Sequence, residues 1–174
     1  MLAEKTENPQ DESGQISPGH DVDRQKYILL QVALRLFHQQ GYGKTTFANI
    51  AKAAGMTRKD AQTYFSTREE ICHQVIDHYL ADQSTQFEDI NQNSNPRQRL
   101  SLFLDSIVEN TDSLISRGCP LTGLYIDVQR EGGPLADHVT KILQHRLDWI
   151  REQFVLIMRV ESVTDLPERL TSAV

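Results

Sequence analysis

Residues 41–65 read GYGKTTFANIAKAAGMTRKDAQTYF. Two short amphipathic segments stand on either side of Gly55, and neither is long enough to be a stable helix alone. Thr46 is a good N-cap for the first, which carries Phe47, Ile50, Ala51 and Ala54 inward. Gly55 follows, where a sharp turn favours a residue that takes positive φ without steric cost. The second segment is expected to run from Thr57 to about Phe65, with Met56, Ala61, Tyr64 and Phe65 inward and Arg58, Lys59, Gln62 and Thr63 outward. Helices that cross steeply need small residues at the crossing, and Ala51, Gly55 and Ala61 supply them. This is the arrangement of a helix-turn-helix, whose second helix enters a DNA major groove. Arg and Lys donate to guanine or phosphate, Gln pairs in bidentate fashion with adenine, and helix N-termini present backbone N–H groups to phosphate. The bland alternative is an ordinary pair of helices with polar residues on the solvent side. Asp60, three residues after Thr57, is explained by the positive end of the helix and is mildly repulsive to DNA.

Outward from this stretch the pattern remains helical. Residues 1–20 are polar, contain Pro9 and Pro18, and read as a disordered tail. From Asp23, Ile28, Leu29, Val32, Ala33, Leu36 and Phe37 follow helical spacing until Gly41. Thr67 caps a helix with Glu70 at capping-box spacing, and Asn95-Pro96 starts another whose stripe runs from Leu100 to Ile115. Gly118-Cys119-Pro120 breaks that run, and a shorter helix is expected over Thr122–Arg130. Gly132-Gly133-Pro134 opens the longest helix, with Leu135, Val139, Ile142, Leu143, Leu147, Ile150, Phe154, Ile157 and Met158 on its inner face. DLPERLTSAV at the end reads as the start of a further helix that the chain end cuts short. There is no strand pattern and no internal repeat. The expected fold is therefore all-α.

Composition narrows the function. The net charge is −6, but residues 21–71 hold eight Lys/Arg against five Asp/Glu, while 72–174 hold nine against fifteen. A basic head on an acidic body suits a polyanion-binding module joined to a second domain. No apolar run approaches the roughly 18 residues of a membrane span, and the N-terminal stretch lacks the apolar core of a secretory signal. The two cysteines, Cys72 and Cys119, read as reduced thiols of a cytoplasmic protein. No Ser/His/Asp order, phosphate-cradling glycine loop or paired carboxylate points to catalysis, so no enzyme and no cofactor is expected. His138 and His145 share a helix face, and His73 and Asp77 lie one turn apart, but nothing gives three ligands locally, so no metal is expected.

ALRLFHQQGYGKTTFANIAKAAGMTRKDAQTYFSTREEI resembles the N-terminal DNA-binding domain of TetR-family transcriptional regulators. The matching marks are Ala33, Leu36, Phe37, Gly41-Tyr42, Thr45-Thr46, Ile50-Ala51, Ala54-Gly55, Tyr64-Phe65 and the Ser66–Glu70 stretch, from Gln25 to about Ile71. The resemblance implies a three-helix helix-turn-helix DNA-binding domain over 21–70 and a helical-bundle ligand-binding and dimerisation domain over 71–174, the latter shortened at its end. It also implies a homodimer that binds a palindromic double-stranded DNA operator and usually represses nearby genes until a small molecule releases it. The DNA-contact set is then Lys44, Thr46, Thr57, Arg58, Lys59, Gln62, Thr63, Tyr64 and Arg68. Members often carry Gly-Thr-Leu-Tyr where this chain has Lys59-Asp60-Ala61-Gln62, which leaves open a helical protein-interaction module that has lost DNA reading.

RGCPLTGLYIDV resembles a Gly-Cys-Pro/Leu-Leu-Gly-Asn-Leu stretch found in a subset of the family's C-terminal domains, with Thr122-Gly123 in place of Gly-Asn. In some relatives such a cysteine senses oxidants or electrophiles, which requires a thiolate. Cys119 is either that sensor or a small apolar residue at a helix junction. The effector pocket is expected between the long helices, lined by Phe103, Ile107, Cys119, Tyr125, Leu143, Leu147 and Trp149, the same apolar stripes that would otherwise be plain core.

Overall fold

A computed structural model describes residues 18–109, 114–116 and 118–171, with side chains placed for 21–109, 114–116 and 118–160. The described residues are helices and turns with no strand. In chain order the helices are α1 (Pro18–Gln40), α2 (Phe47–Ala53), α3 (Arg58–Ala61), α4 (Arg68–Asn91), α5 (Pro96–Val108), α6 (Pro120–Glu131) and α7 (Pro134–Thr171). Residues 1–17, most of the stretch read as a tail, lie outside the described residues, and α1 begins at Pro18, earlier than the expected Asp23.

Local chemistry sets most boundaries. Gly41 ends α1 at φ 86°, and its N–H closes on Phe37 O at 3.1 Å. Thr46, Thr57 and Thr67 cap α2, α3 and α4, each accepting from the backbone N–H three residues on. At α4 the Glu70 carboxylate reaches back to the Ser66 N–H at 2.7 Å, one residue before the cap. Asn95 accepts from the Arg97 N–H, and Pro96 occupies the first turn of α5.

Three expectations are corrected. The helix expected from Thr57 to Phe65 is only the four residues of α3, because Gln62, Thr63 and Tyr64 form turns whose N–H groups close on Arg58, Asp60 and Ala61. α5 ends at Val108 rather than continuing to Ile115. The final stretch prolongs α7, a helix of 38 residues, to Thr171 instead of starting a new one.

One core runs through head and body. Leu29, Ala33 and Phe37 of α1 meet Ile50 and Ala51 of α2, Ala61 and Phe65, then Ile71, Cys72, Val75 and Ile76 of α4. Leu121, Leu124 and Val128 of α6 and Val139 and Ile142 of α7 complete it. A second cluster joins α4, α5 and α7 through Phe87, Ile90, Phe103 and Trp149. Trp149 stacks on Phe87 at 4.4 Å and 6° and donates its indole N–H to Asn91 Oδ1 at 3.1 Å, so its polar edge is satisfied inside the packing. The inner face of α7 departs from expectation at Leu147, Phe154 and Met158, which are 57%, 54% and 56% exposed. No helix among the described residues is long and apolar enough to cross a membrane.

Candidate nucleic-acid interface and neighbouring cleft

The turn between α2 and α3 is built as the glycine implied. Gly55 sits at φ 73° with open space around it, and the Met56 N–H closes on Ala51 O at 2.9 Å. Ala51 and Ala61 are fully buried, so the two short helices meet through small side chains. Thr46 forms a complete capping box with Asn49: its hydroxyl donates to Asn49 Oδ1 and accepts from the Asn49 N–H, and the Thr46 N–H donates to Asn49 Oδ1. At α3 the Thr57 hydroxyl donates to Asp60 Oδ2 at 2.6 Å and accepts the Asp60 N–H at 3.1 Å. The Thr63 hydroxyl donates to Asp60 O at 2.7 Å. Asp60 therefore organises the turn from both sides.

This packing leaves Arg58, Lys59, Gln62 and Thr63 exposed together, and among the described residues the side chains of Arg58, Lys59 and Gln62 have no hydrogen-bond or ion-pair partner. Lys44, Thr46 and Thr57 are exposed too, whereas Tyr64 is partly buried against the core. Arg68 is held by partners within the chain. Its guanidinium stacks on the Tyr42 ring at 4.0 Å and donates to Tyr42 O at 3.2 Å and Thr45 O at 3.4 Å. It also pairs with Glu69 at 3.3 Å and with Glu131 of α6 at 2.9 Å. Arg68 is thus a fastener within the chain, committed to carbonyls and carboxylates that a phosphate would have to displace.

Glu131 has a companion one turn earlier on α6. Asp127 Oδ2 accepts the Tyr42 N–H at 2.8 Å. Asp127 and Glu131 together clip the α1–α2 loop to α6. Sequence reading missed both, because their partners lie 85 and 63 positions away. The one available signal was their spacing of four on a helix, which puts two carboxylates on one face.

The expected effector residues do not converge. Phe103 and Trp149 are packed into the aromatic cluster, and Ile107 and Leu147 are exposed. Tyr125 and Leu143 are partly buried against the main core. A cleft of about 760 Å³ lies instead between α4, α6 and α7, lined by Glu70, His73, Val128, Leu135, His138 and Lys141 among others. A smaller one of about 280 Å³ holds Phe37, His38, Cys119 and Asp127, and a third of about 440 Å³ lies around Tyr79, Gln83 and Arg146. Of the expected set only Cys119 lines any of these three clefts.

Cys119 is the N-cap of α6, with Pro120 in the first turn. Burial alone raises its pKa, but the Thr122 hydroxyl and N–H, the Leu121 N–H and the Arg146 charge outweigh burial and hold the thiol below its ordinary range. Cys72 is the opposite case. Burial, only partly offset by Arg68, pushes it up to about 12, so it stays a neutral core thiol.

Residues 29–75 match the family described as "Bacterial regulatory proteins, tetR family". The chain is 27% identical over 97 residues to the HTH-type transcriptional regulator LuxR of Vibrio harveyi, covering 55% of this chain and 45% of that one. It is 43% identical over 47 residues to the HTH-type transcriptional regulator AcrR of Shigella flexneri, covering 27% of this chain and 22% of that one. The chain thus spans less than half the length of these two relatives. Among solved structures it resembles the fatty acid degradation regulator FadR from Bacillus halodurans, with a TM-score of 0.57 and 16% identity, covering 75% of this chain and 66% of that one. At that identity the likeness is one of fold.

Proposed function

We propose that the chain, whose residues 29–75 match the TetR family of bacterial regulators, is a homodimeric DNA-binding repressor released from its operator by a small molecule or a thiol-reactive compound. The observation that carries this reading is the exposed, adjacent set of Arg58, Lys59, Gln62 and Thr63 on a turn whose other side is closed by Ala61 and Phe65. Arg58 and Lys59 supply phosphate or guanine contacts, and Gln62 discriminates adenine by ~1–3 kcal/mol. Paired heads enter successive major grooves about 34–36 Å apart. The dimer seam is supported by Leu147 and Phe154, exposed apolar residues seven apart and hence on one face of α7. The effector acts in the cleft between α4, α6 and α7, or on Cys119, and alters the grip of α6 on the α1–α2 loop. It does so only through a different affinity for the two arrangements.

Selection of genomic fragments with the purified protein, followed by footprinting, tests the reading. The expected result is a palindromic site whose affinity falls steeply with salt, as phosphate contacts release counterions. Arg58→Ala and Gln62→Ala each weaken binding by about 5- to 150-fold, the equivalent of ~1–3 kcal/mol. No enrichment at low salt ends the repressor reading. A second reading, a helical interaction module without DNA reading, is favoured by one observation: Asp60 adds a carboxylate to the very turn that would approach phosphate. It expects both substitutions to leave function intact.

A further inference from the structure

The face where α4 meets α7 carries a cluster at the edge of the cleft between α4, α6 and α7. His73 and Asp77 are one turn apart on α4, and His138 comes from α7. The His73 Nδ1–H donates to Asp77 Oδ2 at 3.1 Å, and the His138 Nε2–H donates to Asp77 Oδ1 at 2.8 Å. The two imidazoles stack at 3.9 Å and 13°. One nitrogen from each histidine and one oxygen from the aspartate all lie within 4.8 Å of one another. One carboxylate thus gathers two rings from helices 61 positions apart in sequence.

From this geometry we propose a Zn²⁺ site formed by His73, Asp77 and His138, with its remaining position open to the adjoining cleft. Two imidazoles and a carboxylate are a donor set for zinc, whereas calcium and magnesium take oxygen ligands. Tetrahedral zinc at ~2.0–2.2 Å from each ligand brings the ligand atoms to about 3.3–3.6 Å from one another. The carboxylate distances of 2.8 and 3.1 Å lie just under that range, so binding asks for each contact to open by a few tenths of an ångström and for the rings to leave their stack. The His73 side chain, 51% exposed, has room to do so. Each neutral ring moves its proton from the nitrogen facing Asp77 to its other ring nitrogen, so the freed nitrogen binds the metal and the metal takes the place of both hydrogen bonds. His73 and His138 both line the 760 Å³ cleft, and Glu70 and Asp137 beside them add negative charge against the single Lys141. The open position therefore faces solvent-accessible space, as in sites that carry three protein ligands and an exchangeable fourth. The bound ion ties α4, which starts at the end of the head, to α7.

The molecule contains its own control. His78 and Asp82 repeat the same i, i+4 pair on α4 at 3.5 Å, and among the described residues no third metal-binding residue joins them. The test uses the full chain freed of metal with a chelator. Zn²⁺ affinity is measured by competition with a chromophoric chelator, and Co²⁺ is added separately to read visible d–d absorption. One Zn²⁺ per chain is expected, with Co²⁺ bands characteristic of low coordination number. His138→Gln, which keeps a hydrogen-bond donor for Asp77 but is a poor ligand, and His73→Ala, at an exposed position, should each weaken binding at least tenfold. His78→Ala should leave it unchanged. Absence of stoichiometric binding by the unaltered chain overturns the proposal, as does a His138→Gln protein that binds as tightly, or a His78→Ala protein that loses as much. Circular dichroism of each variant separates loss of the site from loss of the fold. None of these readouts involves DNA, so the site stands or falls apart from the repressor reading.

Discussion

Replacing Gly41 by alanine tests the joint between head and body. Gly41 sits at φ 86°, and a Cβ there would lie 2.6 Å from Asp127 Oδ2. The left-handed backbone costs an L-residue about 1–2 kcal/mol. The new methyl also drives the Asp127 carboxylate off the Tyr42 N–H, now held at 2.8 Å. A hydrogen bond to a charged group contributes roughly 1.5–3 kcal/mol, so Gly41→Ala should cost about 2.5–5 kcal/mol in all. The two parts are separable. In an Asp127→Ala background there is no carboxylate to displace, and the same substitution should cost only the backbone part, about 1–2 kcal/mol. Urea unfolding of the four proteins, followed by circular dichroism at constant slope, completes a double-mutant cycle. A coupling of about 1.5–3 kcal/mol is expected. An equal cost in both backgrounds would refute the clip between α6 and the α1–α2 loop, and a cost near zero would refute the backbone argument as well.

Two further outcomes follow from the same geometry. Near neutral pH iodoacetamide should modify one thiol in the native chain and two after denaturation, because Cys119 is held below the ordinary thiol range while Cys72 is buried and raised to about 12; peptide mapping that finds Cys72 modified in the native protein would contradict this. Phe154→Glu puts a charge on the exposed face of α7 and should turn the proposed dimer into a monomer in sedimentation analysis without changing the helical signal, and an unaltered sedimentation coefficient would remove that face as the seam.

Much of the fold was legible because its determinants are local. Threonine caps at 46, 57 and 67, Asn95-Pro96, and glycines at 41, 55, 118, 132 and 133 that all take positive φ punctuate the chain where sequence reading placed the breaks. The outward set at 58, 59, 62 and 63 was legible for the same reason: one helical turn fixes which side chains share a face. Arg68 illustrates the limit. A basic residue at a helix start beside a DNA head suits phosphate, yet its actual partners are a ring and two carbonyls in the 42–45 loop and a carboxylate on α6. The stripe on α7 fails in a different way. Periodicity marks Leu147 and Phe154 as apolar but carries no information on which surface, if any, of the same chain covers them. His73 and Asp77 were visible as a pair, and only the packing of α7 against α4 brings His138 to them.

The core is continuous from Leu29 through Ile76 to Ile142, so the head is not suspended on a tether. α6 touches it at both ends of its length: Cys119 at the N-terminus lines a cleft shared with Phe37 and Gly41 of the head, and Asp127 and Glu131 near the C-terminus hold Tyr42 and Arg68. Twelve helical residues span about 18 Å and move as a rod. The cysteine end, and the cleft beside Val128 and Glu131, are thus joined to the α1–α2 loop by one helix. Regulatory coupling in proteins is typically worth 1–3 kcal/mol, a 5- to 150-fold change in affinity. A charge-assisted bond like that between Asp127 and the Tyr42 N–H is worth about 1.5–3 kcal/mol. One contact of the clip is therefore of the same magnitude as a typical regulatory coupling.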